Sequence, residues 1–334
     1  MKSLAVIIQQ SNPNLIGALL GVKVAEVDMR KPGADEVLVK MEAAPCNPSD
    51  IAFMRGGYNI QKPFPAVPGF EGTGVVVETG SEARELQGKR VSCFLQDEGF
   101  GTWSAYFLAK AQNCIIMKDA MPVEQAACFS INPLTAYAMF EMTGSSGANA
   151  FILNAAGGQV PRLMRVFAKK HSMEVINLVR KETMVESLMN EGENYVLNTA
   201  SEDFFTRLKQ LCHQLQPTIA FDAAGGEATG KILNAMPNGG RIVVYGALSG
   251  ADLSGIDPMG IIFRSKSIRG FNLNDWVAGL KKADFKRITD ELQEMFIAGE
   301  LKTQIQSTFP LGQAIDGIRH YIKNMSAGKV LFTS

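Results

Sequence analysis

A chain of 334 residues, 46% of them hydrophobic, carries enough apolar material for one large or two compact domains, which excludes a disordered polymer. Lys plus Arg and Asp plus Glu both total 33, so no bulk field draws the chain to nucleic acid, a membrane surface or a charged polymer. A small, locally recognised ligand is expected instead.

The amino-terminal MKSLAVIIQQ holds one lysine and five consecutive apolar residues before polar ones return, too short a run for a signal sequence, and no stretch reaches the length of a membrane span. Short β-branched runs follow at Leu4–Ile8, Glu36–Lys40, Gly74–Glu78 and Arg90–Phe94, separated by Gly and Pro clusters. They predict a mostly β domain over 1–122. Five cysteines, Cys46, Cys93, Cys114, Cys128 and Cys212, form no CxxC pair and are odd in number, which reads as reduced thiols in a cytoplasmic protein.

From about Pro122 the texture changes to apolar strands alternating with helical periods: Ala126–Met142, Phe151–Lys170, Glu174–Val179, Met184–Met189, Tyr195–Leu197, Asp203–Leu215, Thr218–Phe221, Gly230–Met236 and Arg241–Tyr245. Such alternation predicts βαβ units and a parallel sheet, an α/β domain over 123–300. Ile268–Phe271 adds a last strand, Asp284–Gly299 an amphipathic helix, and 301–334 returns to strands around the helix Gly312–Lys323, completing the first domain.

The most informative stretch is FILNAAGGQVPRLMRVFAKK, Phe151–Lys170. Phe151 to Ala156 reads as a buried strand, Gly157 and Gly158 as a tight turn, and Leu163, Met164, Phe167 and Ala168 recur at helical spacing. A helix amino terminus presents unpaired N–H groups and partial positive charge, a natural seat for a dinucleotide pyrophosphate. Gly157, Gly158, Val160 and Arg162 are the expected contacts. Arg162 and Arg165 are expected in the first helical turn, where the dipole disfavours cations, so a bound phosphate would account for them better than solvent does. Pro161 replaces the third glycine usual at such turns; it suits a first helical turn but loosens the expected close packing. The next strand, EVINLV, ends in Arg180 and Lys181 about 20 residues on, where an NAD-specific fold carries an acid; the basic pair suits a 2′-phosphate and so NADP(H). An exposed loop cation is the plainer reading of either residue.

Cys46–Gly74, CNPSDIAFMRGGYNIQKPFPAVPGFEGTG, resembles the catalytic-domain signature of the medium-chain dehydrogenase/reductase superfamily, in its zinc-free quinone-oxidoreductase and enoyl-reductase branch. Further segments agree in order: GKRV at Gly88–Val91, GTWSAY at Gly101–Tyr106, NPLTAY at Asn132–Tyr137, FDAAGG at Phe221–Gly226, GGRIVVYG at Gly239–Gly246 and GKVL at Gly328–Leu331. The resemblance implies a GroES-like β domain built from both chain ends, a Rossmann domain between them, NADPH as cofactor, and a homodimer joined through edge strands, for which Gly239–Gly250 and Ser267–Phe271 are candidates. Zinc-dependent relatives hold metal with a Cys matching Cys46 and a His matching Phe70. Phenylalanine has no lone pair to give, so no metal site is expected and Cys46 reads as a small buried residue.

Without a Lewis acid the hydride acceptor has to be activated already, as a quinone or an α,β-unsaturated carbonyl compound. For the latter, the enolate left by hydride addition needs a proton, and Tyr58 matches the tyrosine that related enoyl-thioester reductases use. On its own residues a tyrosine beside Gly56 and Gly57 reads more often as packing, and it is the match that turns Tyr58 toward function. Asn47 joins it as the second catalytic candidate, with Asp50 orienting the loop. Thr135 matches the position facing the nicotinamide, although a helix-interior threonine bonded to its own backbone has the same sequence signature. Tyr245 and Gly246 end a buried strand and are expected under the cofactor; Phe271 and Trp276 follow the last strand and are expected to cover the nicotinamide or line the substrate mouth, although aromatic lining is equally what a core requires. His171, His213 and His320 are isolated, and Asp222 reads as a turn former. The leading expectation is a zinc-independent, NADPH-dependent reductase of quinones or enones. A 2-enoyl-thioester reductase is the alternative within catalysis, and a non-catalytic NADPH-binding sensor or structural protein the alternative outside it.

Overall fold

The structure, a computed structural model, describes residues 1–60, 62–96, 99–144 and 149–334; Gln61 of the Cys46–Gly74 signature lies outside the described residues. Its elements begin with β1 (Lys2–Ile8), α1 (Leu15–Leu20), β2 (Val22–Asp28), β3 (Glu36–Pro45), α2 (Pro48–Met54), β4 (Glu71–Thr79), β5 (Arg90–Phe94), β6 (Tyr106–Lys110), β7 (Cys114–Ile116) and α3 (Val123–Ala127). Next come α4 (Asn132–Gly144), β8 (Ala150–Asn154), α5 (Gln159–Lys170), β9 (Glu174–Val179), α6 (Glu182–Asn190), β10 (Tyr195–Asn198), α7 (Phe204–Leu215), β11 (Ile219–Asp222), α8 (Glu227–Ala235), β12 (Arg241–Val244), α9 (Pro258–Arg264), β13 (Ser267–Gly270) and α10 (Leu273–Ala278). The last are α11 (Lys282–Ile297), β14 (Ile305–Pro310), α12 (Ala314–Lys323) and β15 (Lys329–Thr333).

Two compact units result, Met1–Leu134 with Lys282–Ser334, and Thr135–Lys281. The divisions fall at 134/135 and 281/282, against 122/123 and 300/301 from sequence texture. Side-chain packing explains the difference. On α11, Gln293 accepts from Lys118 N at 2.8 Å and Phe296 meets Phe129 edge to face at 6.0 Å, so this helix belongs with the first unit. Gln125 of α3 exchanges hydrogen bonds with the backbone of Thr303, at 3.1 and 2.8 Å.

In the first unit β1 and β2 pair antiparallel, and a seven-stranded sheet runs β14-β15-β3-β4-β5-β7 with β6 also on β3. Val37, Val39 and Met41 of β3 are fully buried in the core, while Lys40 between them is exposed. β15 inserts parallel to β14 and antiparallel to β3, so residues from both ends of the chain share one sheet. Buried Trp103 seals the junction, donating to Pro45 O at 3.0 Å and packing edge-on against Phe332 at 4.9 Å. Gly69 is required beside it: φ is +97° and a Cβ would stand 2.5 Å from Thr102 Oγ1 and from the Trp103 ring.

The second unit holds a six-stranded sheet, all parallel, in the order β10-β9-β8-β11-β12-β13. Counted from β8, that is the 3-2-1-4-5-6 order of a Rossmann fold, with its topological switch between β8 and β11. Ala150–Asn154 and Ile219–Asp222 are buried throughout, as expected for central strands covered on both faces. Among the described residues no helix is long and apolar enough to cross a membrane.

Candidate active site

In the second unit, α5 opens at Gln159 with Gly158 as its N-cap. Pro161 is the third helical residue, within the first turn, where a missing N–H costs no intrahelical bond. The left-handed residue of the turn is Ala155 rather than a glycine, with φ +54° and its N–H on Asn154 Oδ1 at 2.9 Å. A Cβ at Gly157 would stand 2.7 Å from Met184 Cε of α6, the far end of a flexible side chain that can turn aside, so packing favours glycine here without requiring it. Val160 is buried beside it.

The two arginines of α5 are answered by carboxylates of the chain itself. Arg165 is only 7% exposed, donates to Ala156 O at 2.7 Å and lies 3.4 Å from Glu193 and 3.6 Å from Glu191. Arg162 Nη2 is 3.2 Å from Glu191 Oε1. The 191–193 turn thus gives both cations a partner within the chain, while Arg162 Nε is buried without a hydrogen-bond partner among the described residues. Arg180 and Lys181, at the end of β9, are exposed and not ion-paired among the described residues.

At the switch point Asn154 Nδ2 donates to Asp222 Oδ1 at 2.7 Å, tying the ends of β8 and β11 together. Asp222 also accepts from Ala224 N, Gly225 N and Thr229 Oγ1, at 2.8, 3.1 and 2.6 Å, so it is a turn former as expected. At the end of β12 the Tyr245 hydroxyl is buried without a hydrogen-bond partner among the described residues, a cost of about 1–3 kcal/mol that a ligand's donor or acceptor would remove. Gly246 is set by the neighbouring strand end, a Cβ there falling 2.8 Å from Ala223 O. Phe271, half-buried, donates its N–H to Val244 O at 2.9 Å, and Trp276 leans on Tyr137 at 6.4 Å. Thr135 is buried in the first turn of α4. A helix amino terminus at the switch point, an unanswered hydroxyl and a cationic second-strand end together fit a phosphorylated dinucleotide.

In the first unit, four buried polar residues lock the segment before Tyr58. Lys329 Nζ donates to Asn47 Oδ1, and Asn47 Nδ2 donates to Glu71 Oε2 at 3.1 Å. Glu71 Oε1 accepts from Ile131 N at 2.8 Å and from Ser130 Oγ at 3.3 Å. Asp50, in the first turn of α2, accepts from Asn47 N at 2.8 Å and Phe70 N at 3.0 Å. Burial pushes Asp50 up to about 7, against the pull of these two N–H groups and of Lys329, and burial raises Glu71 as well. The folded state thus holds the Asp50 proton more tightly than the unfolded chain does, so this contribution to stability is complete at low pH and is lost as pH rises through about 7. Unfolding free energy is expected to fall between about pH 4 and 7 with a limiting slope of about 1.4 kcal/mol per pH unit from this group and to level off above the folded value, and Asp50→Asn to flatten the fall. Urea midpoints taken across that range test this; an unchanged slope in the variant refutes it.

Phe70, fully buried, occupies the position where metal-binding relatives were expected to carry histidine, and forms the wall behind Tyr58: their ring centroids are 5.2 Å apart, with Phe53 5.5 Å from Phe70 on another side. Tyr58 is half-buried and its Oη accepts from Gln96 Nε2 at 2.9 Å. Burial raises the Tyr58 pKa, the Asp50 charge adds to the rise and Gln96 opposes it, so the phenol keeps its proton at neutral pH. Cys46 is fully buried, and burial pushes its thiol up, away from reactive thiolate. No group of three or more His, Cys, Asp and Glu is placed to hold a metal ion among the described residues. Gln96, Ser130, Glu71 and Lys329 escaped the sequence reading. Glu71 and Lys329 do lie inside the GFEGTG and GKVL segments, the one signal that could have singled them out.

The Alcohol dehydrogenase GroES-like domain profile matches residues 33–119, and the Zinc-binding dehydrogenase profile matches 164–294. The mitochondrial enoyl-[acyl-carrier-protein] reductase of Bos taurus is 29% identical over 297 residues, covering 87% of this chain and 79% of that protein. A crystal structure of a candidate NADPH:quinone reductase from Mesorhizobium loti superposes with a TM-score of 0.94 at 31% identity, covering 100% of this chain and 98% of the other. A mutant form of enoyl thioester reductase from Candida tropicalis shares the fold, with a TM-score of 0.78 at 22% identity over 100% of both chains. Parallel-sheet unit, GroES-like unit and these likenesses define a two-domain dehydrogenase/reductase. The chain belongs to the medium-chain dehydrogenase/reductase superfamily, in its zinc-free quinone-oxidoreductase and enoyl-reductase branch.

Proposed function

We propose that this protein is a zinc-independent, NADPH-dependent oxidoreductase that reduces quinones or α,β-unsaturated carbonyl compounds. The observation that carries the reading is the pairing of Tyr58 with Phe70: a protonated phenol stands against an apolar wall where a zinc enzyme would place a metal ligand. NADPH supplies the hydride when bound. The amino terminus of α5 would hold its pyrophosphate, Arg180 and Lys181 its 2′-phosphate, and Tyr245 would gain a partner under it. Thr135, Gly157, Gly158, Val160, Gly246 and Phe271 would serve as further contacts, and Arg162 would contribute through its pair with Glu191. Tyr58 delivers a proton to the α-carbon of an enolate. Asn47, with both ends of its amide engaged by Glu71 and Lys329, holds the loop in place.

Arg180 and Lys181 make the cofactor preference testable. Replacing both with alanine is expected to weaken NADPH binding about 10- to 100-fold and leave NADH binding unchanged. Direct titration of both cofactors reads this, and NADH binding to the unaltered protein as tightly as NADPH refutes it. The Bos taurus relative favours a second reading, a 2-enoyl-thioester reductase, which a panel of quinones, enones and enoyl thioesters separates. Transfer of deuterium from labelled NADPH to any of them disposes of a purely binding role.

A homodimer through the parallel sheet is part of the same reading. Of the two expected edge candidates, β12 is paired on both sides, to β11 and β13; β13 alone of them forms an edge. Near it in the chain, Ile262 and Phe263 of α9 are 62% and 75% exposed, apolar surface that a second copy would cover. Sedimentation velocity reads the mass directly, a monomer refuting the proposal. The five free cysteines support a reducing, cytoplasmic setting, which cell fractionation tests.

A further inference from the structure

The Tyr58 hydroxyl has a polar neighbour on a separate segment of the chain, Gln96. Gln96 follows β5, and the residue before it, Leu95, is fully buried with its N–H on Phe70 O at 2.7 Å. That bond anchors the segment to the residue whose ring lies against Tyr58. From this anchored position Gln96 directs its amide Nε2 at Tyr58 Oη, 2.9 Å away. An amide N–H can only donate, so the phenol oxygen accepts, and its own proton is left pointing elsewhere.

We infer that Gln96 is a positioning residue for proton delivery: it fixes the Tyr58 hydroxyl as a donor toward substrate and then stabilises the phenolate left behind. The inference rests on the reading of Tyr58 as proton donor. The hydride forms the new C–H bond at the β-carbon of the acceptor, and the π pair of the double bond moves to make an enolate. Tyr58 Oη–H then breaks, its proton forming the C–H bond at the α-carbon, and the negative charge passes to Oη. There the N–H of Gln96 becomes a charge-assisted hydrogen bond, stronger than it was to the neutral phenol. A solvent proton restores the phenol. The opposing effects of Asp50 and Gln96 on the phenol's acidity agree with this role, Asp50 disfavouring the phenolate and Gln96 favouring it.

The test uses the full chain with NADPH and a crotonyl thioester, and two variants, Gln96→Leu and the near-isosteric Gln96→Glu. A carboxylate can only accept, and its charge opposes a phenolate, so Gln96→Glu guards against a loss that is merely steric. Expected are a fall in kcat of about 10-fold or more with KM little changed, larger for Gln96→Glu, and a shift of the alkaline limb of the kcat profile to higher pH by about one unit in both. Quinone reduction, which needs no proton on carbon, stays within about threefold. In a Tyr58→Phe background the same Gln96 changes produce no further loss, because the residue acts through the phenol. If Tyr58→Phe is costly but the Gln96 variants keep kcat and the alkaline limb, or lose as much without the phenol as with it, this inference fails and the proton-donor reading stands. If Tyr58→Phe itself leaves thioester reduction intact, both fail. A shift of the alkaline limb to lower pH overturns the assigned direction of the bond.

Discussion

Tyr58→Phe is expected to lower kcat for reduction of a crotonyl thioester by about 100-fold or more while leaving NADPH affinity unchanged. The phenyl ring keeps its contact with Phe70, so the wall and the loop survive; what disappears is the proton. An enolate left without a donor waits for solvent, and a half-buried position slows that delivery. Reduction of a quinone by the same variant is expected to stay within about threefold, since its oxygens exchange protons with water directly. Stopped-flow oxidation of NADPH with each acceptor separates the two. Equal losses on both would place Tyr58 in acceptor binding, and no loss on either would remove it from the reaction.

Lys329→Met is the second large effect. The ammonium group is 3% exposed, bonded to Asn47 Oδ1, and its charge opposes the rise that burial imposes on Asp50 and Glu71. Taking it away leaves the buried Asn47 Oδ1 without its donor and the two buried carboxyls without the nearby cation, at a cost of about 1.5–3 kcal/mol. Only two tryptophans are present, Trp103 in the first unit and Trp276 in the second, so urea unfolding followed by fluorescence in a Trp276→Phe background reads the first unit alone. A loss below about 1 kcal/mol, the range of an exposed ion pair, would show that the network is wetter than its burial implies.

Local pattern was enough for β5 and β9, whose bounds agree with the sequence reading residue for residue, because alternation and apolar runs are properties of neighbours in the chain. The glycine turn was legible for the same reason. That Ala155 rather than a glycine takes the left-handed conformation was not, since alanine seldom does so and the bonds that hold it there, to Asn154 Oδ1 and from Gly158 N, are not written in any spacing. Arg165 reads toward a bound phosphate because a cation near a helix start looks unanswered in sequence; its carboxylate partners, Glu191 and Glu193, come from a different βα unit. Lys329 and Asn47 meet across 282 positions of chain, and no periodicity records such a pairing. The family signature located Tyr58 but not Gln96, because the hydrogen bond between them joins residues 38 apart on separate segments.

The place of β15 between β14 and β3 has a bearing on how the protein is made. A ribosome delivers β3 long before β15, and the whole parallel sheet emerges in the interval. Newly synthesised chain therefore carries the Ala43–Pro45 edge of β3 uncapped while the Rossmann unit is already able to close. Translational pausing within that interval prolongs the life of an open strand edge, the form in which β-rich nascent chains are most prone to associate wrongly.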